Sequence, residues 1–158
     1  MNQGKKANTC GQSLESIVSN SLIQKGFTEV PYKKWIKNPE MFGSEVLIKN
    51  FPFTSIYGHK GSSEFLLSSL IYKYKIRIEC KWQQVAGSVD EKYPYLYLNC
   101  IEAMPEKDII ILLDGGGYKK EAKEWLMKTI KERKYQIGIS KNIMLMNISE
   151  FLRWVNNI

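Results

Sequence analysis

An α/β fold with a central mixed sheet of four to five strands flanked by helices is predicted by three observations. The first is an unbroken apolar run, Asp108-Ile109-Ile110-Ile111-Leu112-Leu113-Asp114, which suits a buried parallel strand covered on both faces. The second is a set of amphipathic stretches of helical period before and after that run. The third is an apolar strand, Ile76-Arg77-Ile78-Glu79-Cys80-Lys81-Trp82-Gln83, that ends in ionisable residues. Burying charge is costly unless it is paired or bound to metal, so such an ending points to a site as well as to packing.

The elements follow in order. Residues 1 to about 11 are polar and hold two glycines, which predicts a flexible N-terminal tail ahead of a single domain over 12–158. Leu14, Ile17, Val18 and Leu22 repeat at helical spacing, with Glu15 at the edge of the stripe and Gly26 as a stop signal. Tyr32-Lys33-Lys34-Trp35-Ile36-Lys37 interleaves cations with aromatics, a pattern that meets phosphates and bases or else anchors a surface loop. Glu45 to Asn50 reads as the first strand. Tyr57-Gly58-His59-Lys60-Gly61-Ser62 reads as a flexible cationic turn, and a second strand opens at Glu64.

Lys73 to Lys75 connects into the strand that carries Glu79. Alternation along it puts Glu79, Lys81 and Gln83 on one face and Ile78, Cys80 and Trp82 on the other. Ser88 and Glu91 form a capping-box pattern for a helix through Tyr95, Leu98, Ile101 and Glu102, with Pro94 as a bend or restart and Lys92 as a phosphate contact. Gly115-Gly116-Gly117 ends the buried strand. It lacks the dinucleotide and phosphate-loop fingerprints, so a tight turn is the better reading than a nucleotide loop. A helix over Lys119 to Arg133 shows Ala122, Trp125, Leu126, Thr129 and Ile130 on one face, and Asn142 to Asn147 makes the last strand. Ser149 opens a terminal helix with Phe151, Leu152 and Val155 inward.

Composition bounds the function. At 158 residues, 44% of them hydrophobic, the chain can bury one continuous core. No apolar run approaches a membrane span and the N-terminus lacks an apolar signal segment, so a cytoplasmic protein without membrane association is expected. Three cysteines in no ligand spacing argue against a disulfide framework or a structural zinc site. His59 is the single histidine, which leaves little room for a histidine-based triad. A net charge of +7 favours a polyanionic partner.

The order α-β-β-β-α-β-α-β-α, with Glu64 on the second strand and Glu79-Cys80-Lys81 on the third, resembles the PD-(D/E)XK nuclease superfamily and its restriction-endonuclease-like core. The resemblance covers roughly residues 12 to 147. The run from Ile78 to Gln83, followed by Gly87 to Lys92, is also similar to a small subgroup of that superfamily. One departure is Ser63-Glu64, where the family commonly has Pro-Asp.

The resemblance implies a metal-dependent endonuclease hydrolysing DNA phosphodiesters, of restriction or mobile-element type. Glu64, Glu79 and Lys81 would be catalytic, and Glu64, Glu79 and the Cys80 backbone carbonyl would hold Mg²⁺, with Mn²⁺ as a substitute. Glu15 and Gln83 would be accessory. Lys33, Lys34, Lys37, His59, Lys60 and Lys92 are the candidate nucleic-acid contacts. The implied partner is double-stranded DNA, cut by a homodimer. Two rival readings remain open: a nuclease-fold binding module without catalysis, and a basic α/β protein holding a phosphorylated ligand at Gly115 to Gly117.

Overall fold

The computed structural model describes residues 3–158 except 86, 88 and 89, with side chains from Ser13 onward. A first helix, α1 (Gln3–Gln24), leads into a short strand, β1 (Thr28–Pro31), and a single helical turn, α2 (Tyr32–Trp35). A meander follows: β2 (Glu45–Thr54), β3 (Lys60–Ser69) and β4 (Tyr74–Trp82). Helix α3 (Tyr93–Leu98) runs on into a π-helical turn over Asn99–Ala103. Then come β5 (Asp108–Asp114), α4 (Lys120–Lys131), β6 (Asn142–Met146) and α5 (Ile148–Asn156).

The six strands form one sheet in the order β1-β2-β3-β4-β5-β6. β2, β3 and β4 are antiparallel; β4, β5 and β6 run parallel, as β1 does to β2. The sixth strand is the addition to the four or five expected. Thr28-Glu29-Val30-Pro31 is too short to show a period, and only its pairing with Val46 to Lys49 makes it a strand.

Alternation along β5 divides its apolar side chains between two cores. Ile110 and Leu112 pack with Val18 and Leu22 of α1 and with Phe151 and Val155 of α5. Ile109, Ile111 and Leu113 pack with Tyr93 and Tyr97 of α3 and Leu126 of α4. Helices therefore cover both faces of the parallel half, as its unbroken apolar run requires.

Several local expectations shift. The first helix begins at Gln3, inside the stretch expected as a tail, and Ile17 lies outside its buried stripe. Strand β3 begins at Lys60, so most of the expected cationic turn belongs to the hairpin and its strand. Asn147, not Ser149, caps α5: its side chain accepts from the Glu150 N–H while the Glu150 carboxylate accepts from the Asn147 N–H. Leu152 is exposed while Phe151 and Val155 face the core. The Ser88 cap falls outside the described residues; α3 itself starts at Tyr93, with Pro94 in its first turn.

The glycine run after β5 is a packing device. A Cβ on Gly115, whose φ is 103°, would lie 2.4 Å from the Gln83 carbonyl oxygen, and one on Gly117 would lie 2.1 Å from the Gln84 carbonyl carbon. The Gln83 N–H donates to the Asp114 carbonyl (2.9 Å) and the Gly117 N–H to the Gln83 carbonyl (2.7 Å). The turn thus clamps the chain leaving β4, which is a tight-turn role. Gly115→Ala is expected to cost about 2 kcal/mol or more, combining a left-handed φ with a backbone clash. A urea unfolding midpoint equal to that of the native chain would contradict the clamp.

Candidate active site

Glu64 and Glu79 meet where β3 and β4 part. The ladder between these strands runs from Ser69↔Tyr74 to Phe65↔Ile78, so Glu64 is the first residue beyond it. On the other side of β3, the β2 pairs Lys49↔Phe65 and Phe51↔Ser63 leave Asn50 opposite Glu64, and Asn50 takes a left-handed φ of 53°. Freed from regular pairing, the Glu64 side chain reaches across to β4. Its Oε2 accepts from the Cys80 N–H at 2.8 Å.

Lys81 joins the two acids. Its Nζ lies 3.0 Å from Glu79 Oε2 and 3.5 Å from Glu64 Oε1. Burial by itself would push this ammonium down, but the charges of Glu79 and Glu64, with the hydrogen bond to Glu79, outweigh it and hold the group above its ordinary value. Without metal, Lys81 is therefore a cation at neutral pH. Burial also raises the Glu64 carboxyl, aided by the Glu79 charge, against the lowering effects of Lys81 and the Cys80 N–H. Glu79 itself is 4% exposed, and its Oε1 has no hydrogen-bond partner. A buried carboxylate oxygen left without a donor is costly, and marks a place for a cation or a bound water.

The other candidates separate by position. Glu79 and Lys81 line a cleft of about 280 Å³ that also takes in His59, Lys60 and Lys92. Three expected nucleic-acid contacts are thus brought to the two strand residues. Lys33, Lys34 and Lys37 are exposed elsewhere. Their neighbours Tyr32 and Trp35 pack on Phe51 and the Val30, Val46, Ile48 and Leu66 cluster, the anchoring role of amphipathic side chains.

Glu15 lines a separate polar cavity with Ser19, Asn20, Glu29 and Lys49. It remains close enough to the site for its charge to help raise the Cys80 thiol, which burial already lifts well above its usual value. Gln83 is 3% exposed and accepts from the Tyr93 hydroxyl at 3.3 Å; its amide nitrogen is buried without a partner.

Two supports had no legible signal. Arg77, two residues before Glu79, is fully buried and bonds Glu106 Oε2 at 2.6 Å, Ser63 Oγ at 3.0 Å and the Phe51 carbonyl at 3.2 Å. Its guanidinium also lies over the Phe51 and Phe53 rings. Ser63 thus supplies an acceptor to the strand that carries Glu79. Asn99, at the start of the π-helical turn, is the second. Its Oδ1 accepts from the Ile56 N–H at 3.0 Å and its Nδ2 donates to the Tyr95 carbonyl at 2.9 Å, tying the β2–β3 hairpin to α3 beside the cleft.

The family model for a PD-(D/E)XK nuclease superfamily domain matches residues 6–158, nearly the whole chain. The chain belongs to the PD-(D/E)XK nuclease superfamily. Neither the search of curated proteins nor the search of solved structures gives a match. Membership supports a nuclease-type function, and the six-stranded sheet flanked by helices is consistent with the restriction-endonuclease-like fold. PD-(D/E)XK nucleases generally use divalent metals. Among the described residues no group of three or more His, Cys, Asp or Glu side chains comes together as a metal site. Two carboxylates, one with an oxygen lacking any donor, still suit a hard cation that keeps much of its water. Among the described residues no helix is long and apolar enough to cross a membrane.

Proposed function

We propose that this PD-(D/E)XK protein is a Mg²⁺-dependent endonuclease that hydrolyses DNA phosphodiesters in the cleft of Glu79 and Lys81. The observation that carries the reading is the Lys81 ammonium held between two carboxylates, one of which keeps a buried oxygen without a donor. Glu64, Glu79 and the Cys80 backbone carbonyl would hold the cation. When bound, it polarises the phosphodiester and lowers the cost of forming hydroxide.

The protein's own groups do the rest. Lys81, fixed by two partners, hydrogen-bonds the attacking water or a non-bridging phosphate oxygen and stabilises the charge that develops there. Gln83, with its carbonyl held by Tyr93, orients the Glu79 end of the strand. Lys60 and Lys92 neutralise the phosphate backbone at the cleft, and the His59 ring lies beside them as a hydrogen-bonding group. Each chain offers one such centre, so cutting both strands of a duplex, as restriction-type enzymes do, calls for a homodimer.

The test is cleavage of supercoiled, linear and single-stranded DNA with Mg²⁺, Mn²⁺ or EDTA. Products that need the metal and disappear in Lys81→Ala support the reading. DNA binding with no cleavage under any of these conditions leaves a non-catalytic binding module instead.

A thermodynamic readout is independent of turnover. Lys81→Ala leaves two carboxylates facing each other, and the metal-free variant is expected to lose about 1–3 kcal/mol, less than a fully buried pair because Lys81 and Glu64 retain some solvent. Mg²⁺ or Mn²⁺ is expected to restore most of it, since a ligand that binds only the folded state stabilises it. Because Glu64 is raised, it takes up a proton at higher pH than an ordinary glutamate. Metal-induced stabilisation should therefore fade, as pH drops, already above the usual glutamate range. Thermal shifts over a pH and metal series measure both effects, and a variant as stable as the native chain without metal argues against the paired site.

A further inference from the structure

We infer that the Tyr57 ring is a stacking platform for an unpaired base of the strand being cut, so that the site selects single-stranded or locally opened nucleic acid. The inference rests on the nuclease reading above and names the substrate class of that site.

Tyr57 is 69% exposed at the tip of the β2–β3 hairpin, a large aromatic surface that contributes nothing to the core. One of its neighbours is Tyr95 of α3, stacked at 5.0 Å and 25°; the other is His59, whose ring meets it edge-on at 6.3 Å. Tyr95 and His59 both line the cleft that holds Glu79 and Lys81. The aromatic series therefore continues from the cleft wall out to solvent.

The hairpin tip is held rather than loose. The Ser55 N–H donates to the His59 carbonyl (2.8 Å), the Gly58 N–H to the Ser55 carbonyl (2.8 Å), and the His59 N–H to the Ser55 hydroxyl (3.2 Å). Buried Asn99 takes the Ile56 N–H and fixes the whole turn against α3. A ring so placed loses little further freedom when a base stacks on it, which is the condition for stacking to favour binding.

The ligand class follows from charge and geometry. Lys60 and Lys92 line the same cleft and attract a phosphate backbone, while the tyrosine offers a flat face to a base attached to it. Within a continuous duplex both faces of every base are covered by its neighbours. Only an unpaired base, in a single strand, an overhang or an opened segment, can present a free face to Tyr57.

The experiment compares native protein, Tyr57→Ala and Tyr57→Trp in EDTA. Binding of a short single-stranded oligonucleotide is followed by anisotropy and by the emission of a fluorescent purine analogue within it. A covalently closed duplex circle serves as the fully paired competitor. Tyr57→Ala is expected to weaken single-strand binding by about fivefold to a hundredfold, the range for losing one stacked base. It should abolish the quenching of the analogue and leave competition by the circle unchanged, and Tyr57→Trp should retain both affinity and quenching. An equal loss for both nucleic acids, or no loss for the single strand, overturns the platform. If the native protein cleaves DNA and Tyr57→Ala binds single strands as well as it does, the platform alone is wrong. If the native protein neither binds nor cleaves nucleic acid, the nuclease reading falls with it.

Discussion

Replacing Glu79 with glutamine is expected to reduce metal-dependent cleavage by about a thousandfold or more while leaving the metal-free fold intact. A factor of that size corresponds to about 4 kcal/mol of transition-state stabilisation. The substitution keeps the shape of a side chain that is 4% exposed, so no cavity forms. A neutral amide can still accept from the Lys81 ammonium, 3.0 Å from Glu79 Oε2 in the native chain. What disappears is the charge that recommends the site to a cation, and with it both the attraction of Glu79 for Lys81 and its repulsion of Glu64. These oppose each other, so the melting temperature without metal should change little, and its increase on adding Mg²⁺ should shrink. Circular dichroism melts beside a cleavage time course read both. A variant that unfolds at much lower temperature would mark Glu79 as a structural residue, and one that cuts at the native rate would remove it from the chemistry.

Arg77→Ala is expected to have the largest effect on stability, about 3–5 kcal/mol, which is the cost of breaking a buried ion pair from one side. Arg77 is fully buried and the Glu106 side chain only 8% exposed, so the carboxylate cannot recover its hydration once the guanidinium is gone. Ser63 Oγ and the Phe51 carbonyl lose a donor at the same time. Removing both charges in Arg77→Met with Glu106→Leu should restore the share that comes from the stranded carboxylate, leaving the cost at Ser63 and the hairpin. Urea unfolding of Arg77→Met, Glu106→Leu and the double measures that coupling. A double variant no more stable than Arg77→Ala would show that Glu106 is not the origin of the loss. Because Arg77 ties Ser63 to the strand of Glu79, cleavage in the double variant should also fall, through misplacement of Glu64 beside Ser63.

The legible parts of this fold were those with strong local patterns. The run from Ile109 to Leu113 reads as a strand buried on both faces, and β5 lies between β4 and β6 with helices above and below. The stripe of Leu14, Val18 and Leu22 reads as a helix, and those three residues are buried in one. β1 was not legible, because four residues carry no period and their state depends on a partner strand. Tyr32 and Trp35 carried two meanings at once, and only their packing on Phe51 distinguishes an anchor from a stacking surface.

In the site, acid-x-lysine at the end of an apolar strand was visible because buried charge needs a reason. That Glu64 turns its carboxylate toward Cys80 and Lys81 was not visible, since it depends on where two ladders stop and on the left-handed Asn50. Arg77 looked like any strand cation until its partners, 14 to 29 positions away in the chain, came together around it. Asn99, in the apolar stretch that follows α3, likewise gave no sign of holding a hairpin 43 residues earlier.

The sequence by itself determined the α/β class, the family-like placement of Glu64 and Glu79-Cys80-Lys81 on successive strands, and the cationic balance. These rest on periodicity and on the cost of burying charge, which act within a few residues. The tertiary structure alone decided which cations share the cleft, which acid stands apart, and how Arg77, Ser63, Glu106 and Asn99 hold the site in place. Those contacts join distant segments, and their strength comes from the exclusion of water that only the assembled sheet and helices provide.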